Sequence, residues 1–220
     1  VIILAIMCAV LSSLFCIFMS VVHKLFRKYF KNQYVRVFAG GVMLVILNIV
    51  LNTTDYNGTG MNIISQALDG QAKPAAFLLK ALFTAITIGC GFRGGEIVPS
   101  FFVGATFGCV TGGLMGMDPG FAAALGMVCF FCGVVNCPLT SLFLSIELFG
   151  VQGIMFFTIG CAVSYMLSGY YSLYNEQKII YSKLRPHYVN LYTNQEIKTR
   201  EPGFLEGLLR IREDDSDDIE

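Results

Sequence analysis

An all-α integral membrane protein built from short, broken helices is the fold class this sequence predicts, and three observations carry it. Hydrophobic residues make up 55% of the 220 and charged residues only 14%, with mean hydropathy +0.66; soluble domains carry roughly 25% charged residues. Across residues 75–173 the only charged side chains are Lys80, Arg93, Glu96, Asp118 and Glu147, and no soluble domain hides that much apolar surface. The apolar stretches of this part run near or below the ~20 residues of a straight span, and glycine or proline interrupts them. The expected partner is therefore the lipid bilayer. A formal net charge of zero gives no reason to expect nucleic acid. The chain opens inside an apolar run with no Met and no basic n-region, so the expectation is a fragment starting within a longer protein, without a signal peptide.

The elements follow in order. Residues 1–30 read as one long helix, apolar to about Val22 and then basic, with Lys24, Arg27, Lys28, Lys31 and Arg36 and no acidic residue among them. The positive-inside rule places that turn in the cytoplasm. Residues 37–51 form a second apolar helix, with Gly40-Gly41 suited to close packing. A polar loop follows at 52–60, whose two N-x-T sequons at Asn52 and Asn57 are read as turn chemistry. A short helix spans 61–68, and 69–73 connect it onward. Five short helices come next, at 74–90, 99–115, 121–135, 138–149 and 153–167. From Tyr170 the chain turns polar, and Leu173, Ile180 and Leu184 suit one last helix leaving the membrane. The membrane unit is thus expected over 1–185. Residues 186–220 form a polar tail, acidic at its end and expected to be disordered.

Eight cysteines lie almost wholly in apolar segments, where they act as small hydrophobes. Cys129 and Cys132 make a C-x-x-C with no second pair, and both histidines, His23 and His187, are far from it. No metal, disulfide or other cofactor is expected. The apolar segments hold only scattered single reactive groups, so an enzyme is not expected either. A structural membrane protein that transports nothing is the more distant alternative; an unbroken hairpin over 74–116 would favour it.

The stretch from Gly94 to Pro99 carries the function. Two glycines loosen the backbone, and Pro99 is expected to open a helix at its first position, where a missing N–H costs nothing. The N–H groups of Glu96, Ile97 and Val98 are then left without helical partners, with the positive end of the helix dipole behind them. Such a terminus is an anion site made of backbone. The competing reading is a glycine hinge between packed helices. Asn136-Cys137-Pro138 breaks a second helix in the same way, and broken helices that meet near the bilayer midplane are a transporter or channel signature.

These residues resemble the CLC family of chloride channels and anion/proton antiporters. Gly95-x-x-x-Pro99, opening a Phe- and Gly-rich helix, is similar to the family's G-x-F-x-P filter. The stretch Val135-Asn136-Cys137-Pro138-Leu139-Thr140, followed by Leu144-Ser145-Ile146-Glu147, is similar to its R-A-P-L-T…L-E segment. Ser172-Leu173-Tyr174-Asn175 resembles the segment whose tyrosine hydroxyl faces the anion. The resemblance covers roughly residues 1–185, the family's C-terminal half. It implies the second of two inverted repeats, a homodimer with one anion pathway per subunit, and a multi-pass protein of a bacterial-type plasma membrane. It also implies anion binding by the segment Gly95, Glu96, Ile97, Val98 and Pro99, through backbone amides, and by the hydroxyl of Tyr174. Tyr181 is the runner-up, since Lys178-Ile-Ile-Tyr-Ser also looks like that segment. The family's topology places the basic turn outside, against the positive-inside vote.

The chain departs from the chloride pattern at Glu96. An acidic residue there is similar to the fluoride/proton antiporter branch, whose filter reads G-G-E-V-T-P, although Val98 stands where that branch has threonine. A carboxylate beside an anion site repels the ion when charged, so it is expected to titrate with occupancy. Glu96 is thus the proton-coupling candidate. The alternative is that it caps its own helix or pairs with Arg93. Chloride and fluoride both stay open as the transported anion, as do channel and proton-coupled antiporter.

Overall fold

The computed structural model describes residues 1–174, 176–183 and 188–194. Eight helices and one short hairpin make up the described part: α1 (Ile2–Tyr29), α2 (Gln33–Leu51), α3 (Met61–Leu68), α4 (Ala76–Gly89), α5 (Ile97–Leu114), α6 (Pro119–Val135), α7 (Pro138–Phe149), α8 (Ile154–Leu167), β1 (Lys178–Tyr181) and β2 (Tyr188–Tyr192). Among the described residues α1, α2 and α5 are long and apolar enough to cross a membrane, and the other apolar helices are shorter.

The helix termini have local causes. Asn32 accepts a hydrogen bond from the Tyr34 N–H at 3.0 Å and so starts α2 four residues before the expected position. Asp118 does the same for Phe121 at 2.9 Å, with Pro119 at the first helical position of α6. Arg36 on α2 donates through Nε to the Cys90 carbonyl at 3.2 Å, placing a cation on the C-terminal end of α4.

Helix α6 is the core, buried almost along its whole length among α1, α5 and α8. Its closest partner is α5, through a seam of small residues. A Cβ on Gly104 would lie 2.8 Å from the Gly126 carbonyl oxygen, and one on Gly108 would lie 2.3 Å from that of Ala122. Only glycine lets two backbones approach so closely, the device by which membrane helices associate without a hydrophobic effect between them. Phe101 and Phe131 close the seam at one end, ring centroids 5.0 Å apart. The first turn of α5 and the last turn of α6 are therefore neighbours. One buried cation crosses this apolar packing. Lys80 on α4 donates to the carbonyls of Tyr56 at 3.0 Å and Gly58 at 2.6 Å and lies over the Phe102 ring, which ties the 52–60 loop to the core.

Two expectations are corrected. Helix α5 begins at Ile97, so Pro99 is its third residue rather than its first; the missing N–H still falls within the first turn, where helical partners are lacking anyway. The last helix expected beyond Tyr170 is a hairpin instead. Lys178 pairs with Tyr192 and Ile179 with Leu191, antiparallel, as suits β-branched and aromatic residues that find a cross-strand partner. Strand β2 lies beyond residue 185, and residues 195–220, including the acidic run, fall outside the described part.

Candidate functional site

The chain between α4 and α5 is irregular over residues 90–96, with Gly91 at φ +105. Gly94 and Gly95 are exposed, and a Cβ on either would meet nothing within 4 Å. Packing does not demand glycine there. What glycine leaves is open space against the backbone, the condition for a ligand to approach it closely.

Glu96 is the N-cap residue of α5 and is half-buried. Its carbonyl accepts the first helical bond, from the Ser100 N–H at 3.1 Å. Its carboxylate makes no cap hydrogen bond, and the ion pair found among the described residues is Lys73–Asp55, far off in the 52–60 loop region. Neither capping nor an Arg93 pair therefore occupies Glu96. The N–H groups of Glu96, Ile97 and Val98 have no hydrogen-bond partner among the described residues, and Pro99 has no N–H to offer. Three donors and a positive dipole end thus stand open at one helix start.

Across from them lies the segment that follows α8. A cavity of about 860 Å³ is lined by residues 94–98 on one side and by Leu173, Tyr174 and Glu176 on the other. The structure thereby brings Gly95, Glu96, Ile97, Val98 and Tyr174 together. Pro99 is buried in the first turn behind them. Tyr181 lies in β1, and its side chain falls outside the described residues. Glu96, Leu173 and Glu176 also line a second cavity of about 590 Å³, which runs along α1 past Cys16, Ser20 and His23. Glu96 thus stands on the boundary between an amide-lined space and a more polar one.

Sequence reasoning missed Glu176, the second carboxylate on both cavities. It also missed the hydrogen bonds that hold the tyrosine segment. The Leu173 N–H donates to the Val134 carbonyl at 3.1 Å, and Ser172 Oγ donates to the same oxygen at 3.2 Å. Asn136 Nδ2 donates to the Tyr171 carbonyl at 2.8 Å. The available signal was an asparagine in an apolar break, with polar residues just beyond the last apolar helix.

Comparison with known proteins identifies a family. The family model described as voltage gated chloride channel matches residues 1–169. A chloride/fluoride channel protein of Pseudomonas syringae pv. tomato is 34% identical over 154 residues, covering 67% of this chain and 34% of that protein. An uncharacterized protein of Methanocaldococcus jannaschii is 24% identical over 138 residues, covering 61% of this chain and 34% of the other. The chain thus spans about a third of the length of these curated relatives. Among solved structures, the crystal structure of a CLC-type fluoride/proton antiporter superposes with TM-score 0.76 at 31% identity, over 79% of this chain and 44% of that one.

Proposed function

The chain belongs to the voltage-gated chloride channel family, the integral membrane proteins known as CLC, and from that premise we propose that it supplies half of an anion pathway. One observation carries the reading: the unpartnered N–H groups of Glu96, Ile97 and Val98 share a cavity with Tyr174. Backbone donors and a dipole end on one side, with a phenol on the other, suit a small desolvated anion. The interruption between α4 and α5 does not favour the alternative of a structural protein without transport.

Proton coupling through Glu96 is the second part of the proposal. Its carboxylate is half-buried, unpaired and adjacent to the amides, so an arriving anion and a departing charge compete for one space. A fluoride-selective, proton-coupled mode is the finer reading. Glu96 supports it, as do the names of the Pseudomonas relative and the solved antiporter, which mention fluoride. Chloride stays within the proposal because Val98 replaces the threonine of that branch's filter. The protein is further proposed to work as a homodimer in a bacterial-type plasma membrane. Exposed apolar residues on α7 and α8, among them Leu139, Phe143, Met155 and Phe156, offer a face for a second copy.

The test is flux. The native full-length protein in liposomes is given a fluoride or a chloride gradient, with an ion-selective electrode for efflux and an internal pH dye for protons. Anion-driven proton movement supports the exchange reading, and passive anion efflux without it reduces the reading to a channel. No selective efflux of either anion overturns both.

A further inference from the structure

We propose that Asn136 and Lys183 form a latch that positions Tyr174 against the amides of residues 96–98 and thereby tunes anion affinity. The inference rests on the reading of Tyr174 as an anion ligand.

Asn136 ends α6 in the left-handed conformation, φ 57 and ψ 36, which asparagine tolerates better than most residues. Its side chain is engaged from both ends of the segment that carries Tyr174. Nδ2 donates to the Tyr171 carbonyl at 2.8 Å. Oδ1 accepts from Ser168 Oγ at 3.3 Å and from the Lys183 ammonium. Lys183 Nζ also donates to Ser168 Oγ at 2.9 Å and lies 4.5 Å from the centroid of the Tyr165 ring. Asn136 and Ser168 are the C-caps of α6 and α8. Two negative dipole ends thus converge on one cation, which is why a lysine is tolerated there with neutral oxygens around it.

Geometry makes this more than a local staple. The chain leaves Asn136 at Tyr171 and returns to it at Lys183, so a single side chain closes the loop that holds Tyr174. Within the loop, Leu173 and Ser172 hang from the Val134 carbonyl, and Ser172 Oγ also accepts the Tyr174 N–H at 3.2 Å. Val134 lies in the last turn of α6, beside the first turn of α5 across the glycine seam. Helix α6 is therefore the common reference for both walls of the anion cavity. The amides are set by the seam and the phenol by the latch. A buried polar network with every member bonded holds one geometry.

The test is a double-mutant cycle in the native full-length protein, with fluoride and chloride binding read by calorimetry. Tyr174→Phe and Lys183→Met are made singly and together. Asn136→Asp, which removes the donor to Tyr171 but keeps an acceptor for Lys183, runs in parallel and carries the cycle if Lys183→Met does not elute as native protein. Each single change is expected to weaken binding roughly 2- to 12-fold, the loss of about one hydrogen bond. The double variant should bind no worse than the weaker single, because Lys183 acts only through the phenol. Full multiplication of the two losses, or unchanged affinity in Lys183→Met and Asn136→Asp, overturns the latch while leaving Tyr174 as a ligand. Unchanged affinity in Tyr174→Phe removes the ligand itself, and the latch with it.

Discussion

At the scale of the residue, Glu96 decides the most. Its side chain neither caps α5 nor meets a cation among the described residues, so Glu96→Gln has little stability to lose. Melting is expected to shift by no more than the ±0.5 kcal/mol of an ordinary surface change. Anion binding should persist, since the backbone N–H stays. Proton movement driven by an anion gradient should fall, because an amide cannot carry the proton. Unchanged proton-to-anion stoichiometry in liposomes of the variant refutes the coupling role. The amide site was legible because glycine, proline and a charged residue stood together in an apolar chain. Glu176 was not, because nothing in its neighbours shows that the chain turns back onto the cavity.

Lys183 gives a second test at this scale, with a sign that reverses the usual one. Burial pulls its ammonium down to about 8, against an ordinary 10.5. Between those values the unfolded chain holds a proton that the folded chain has released, so folding stability rises with pH across that window. From about pH 8 to 10 the native protein in detergent is therefore expected to gain unfolding free energy relative to Lys183→Met. A difference between the two that stays constant over that window removes the proton release from Lys183.

At the scale of the element, two kinds of glycine separate. Gly94 borders open space, and Gly94→Ala is expected to leave the fold intact. Gly108 presses on the backbone of α6, so Gly108→Ala must part the helices and should cost ~1–3 kcal/mol, read as a lowered melting temperature. Equal stability of the two variants contradicts the seam. Helices α3 and α7 match the sequence expectation end to end, since proline, glycine and loop polarity mark their limits. Helix α2 starts early because the Asn32 cap was not recognised. The hairpin was illegible for a different reason. Leu173 and Ile180 fit a helical spacing, but Lys178-Ile-Ile-Tyr follows whichever partner it meets, and that partner is ten residues further on.

At the scale of the molecule, the proposed anion site has one side built by this chain. Amides 96–98 and Tyr174 share a cavity of about 860 Å³ whose described walls all come from this chain, while the matches to the curated relatives cover only 34% of each relative's length. Large apolar side chains stand exposed along α1 and α2, among them Ile3, Val10, Leu14, Phe38 and Ile49. Lipid can cover these faces, but lipid cannot close an ion pathway: an anion bound to one helix terminus needs donors from the opposing side before its hydration is replaced. The 220 residues alone are therefore expected not to conduct. Purified and reconstituted by themselves, they should give liposomes no more permeable to fluoride or chloride than empty ones, with the Pseudomonas relative as a parallel control. Selective efflux, blocked on Tyr174→Phe, would mean that one half-site and its lipid suffice, and the need for an opposing half would fall.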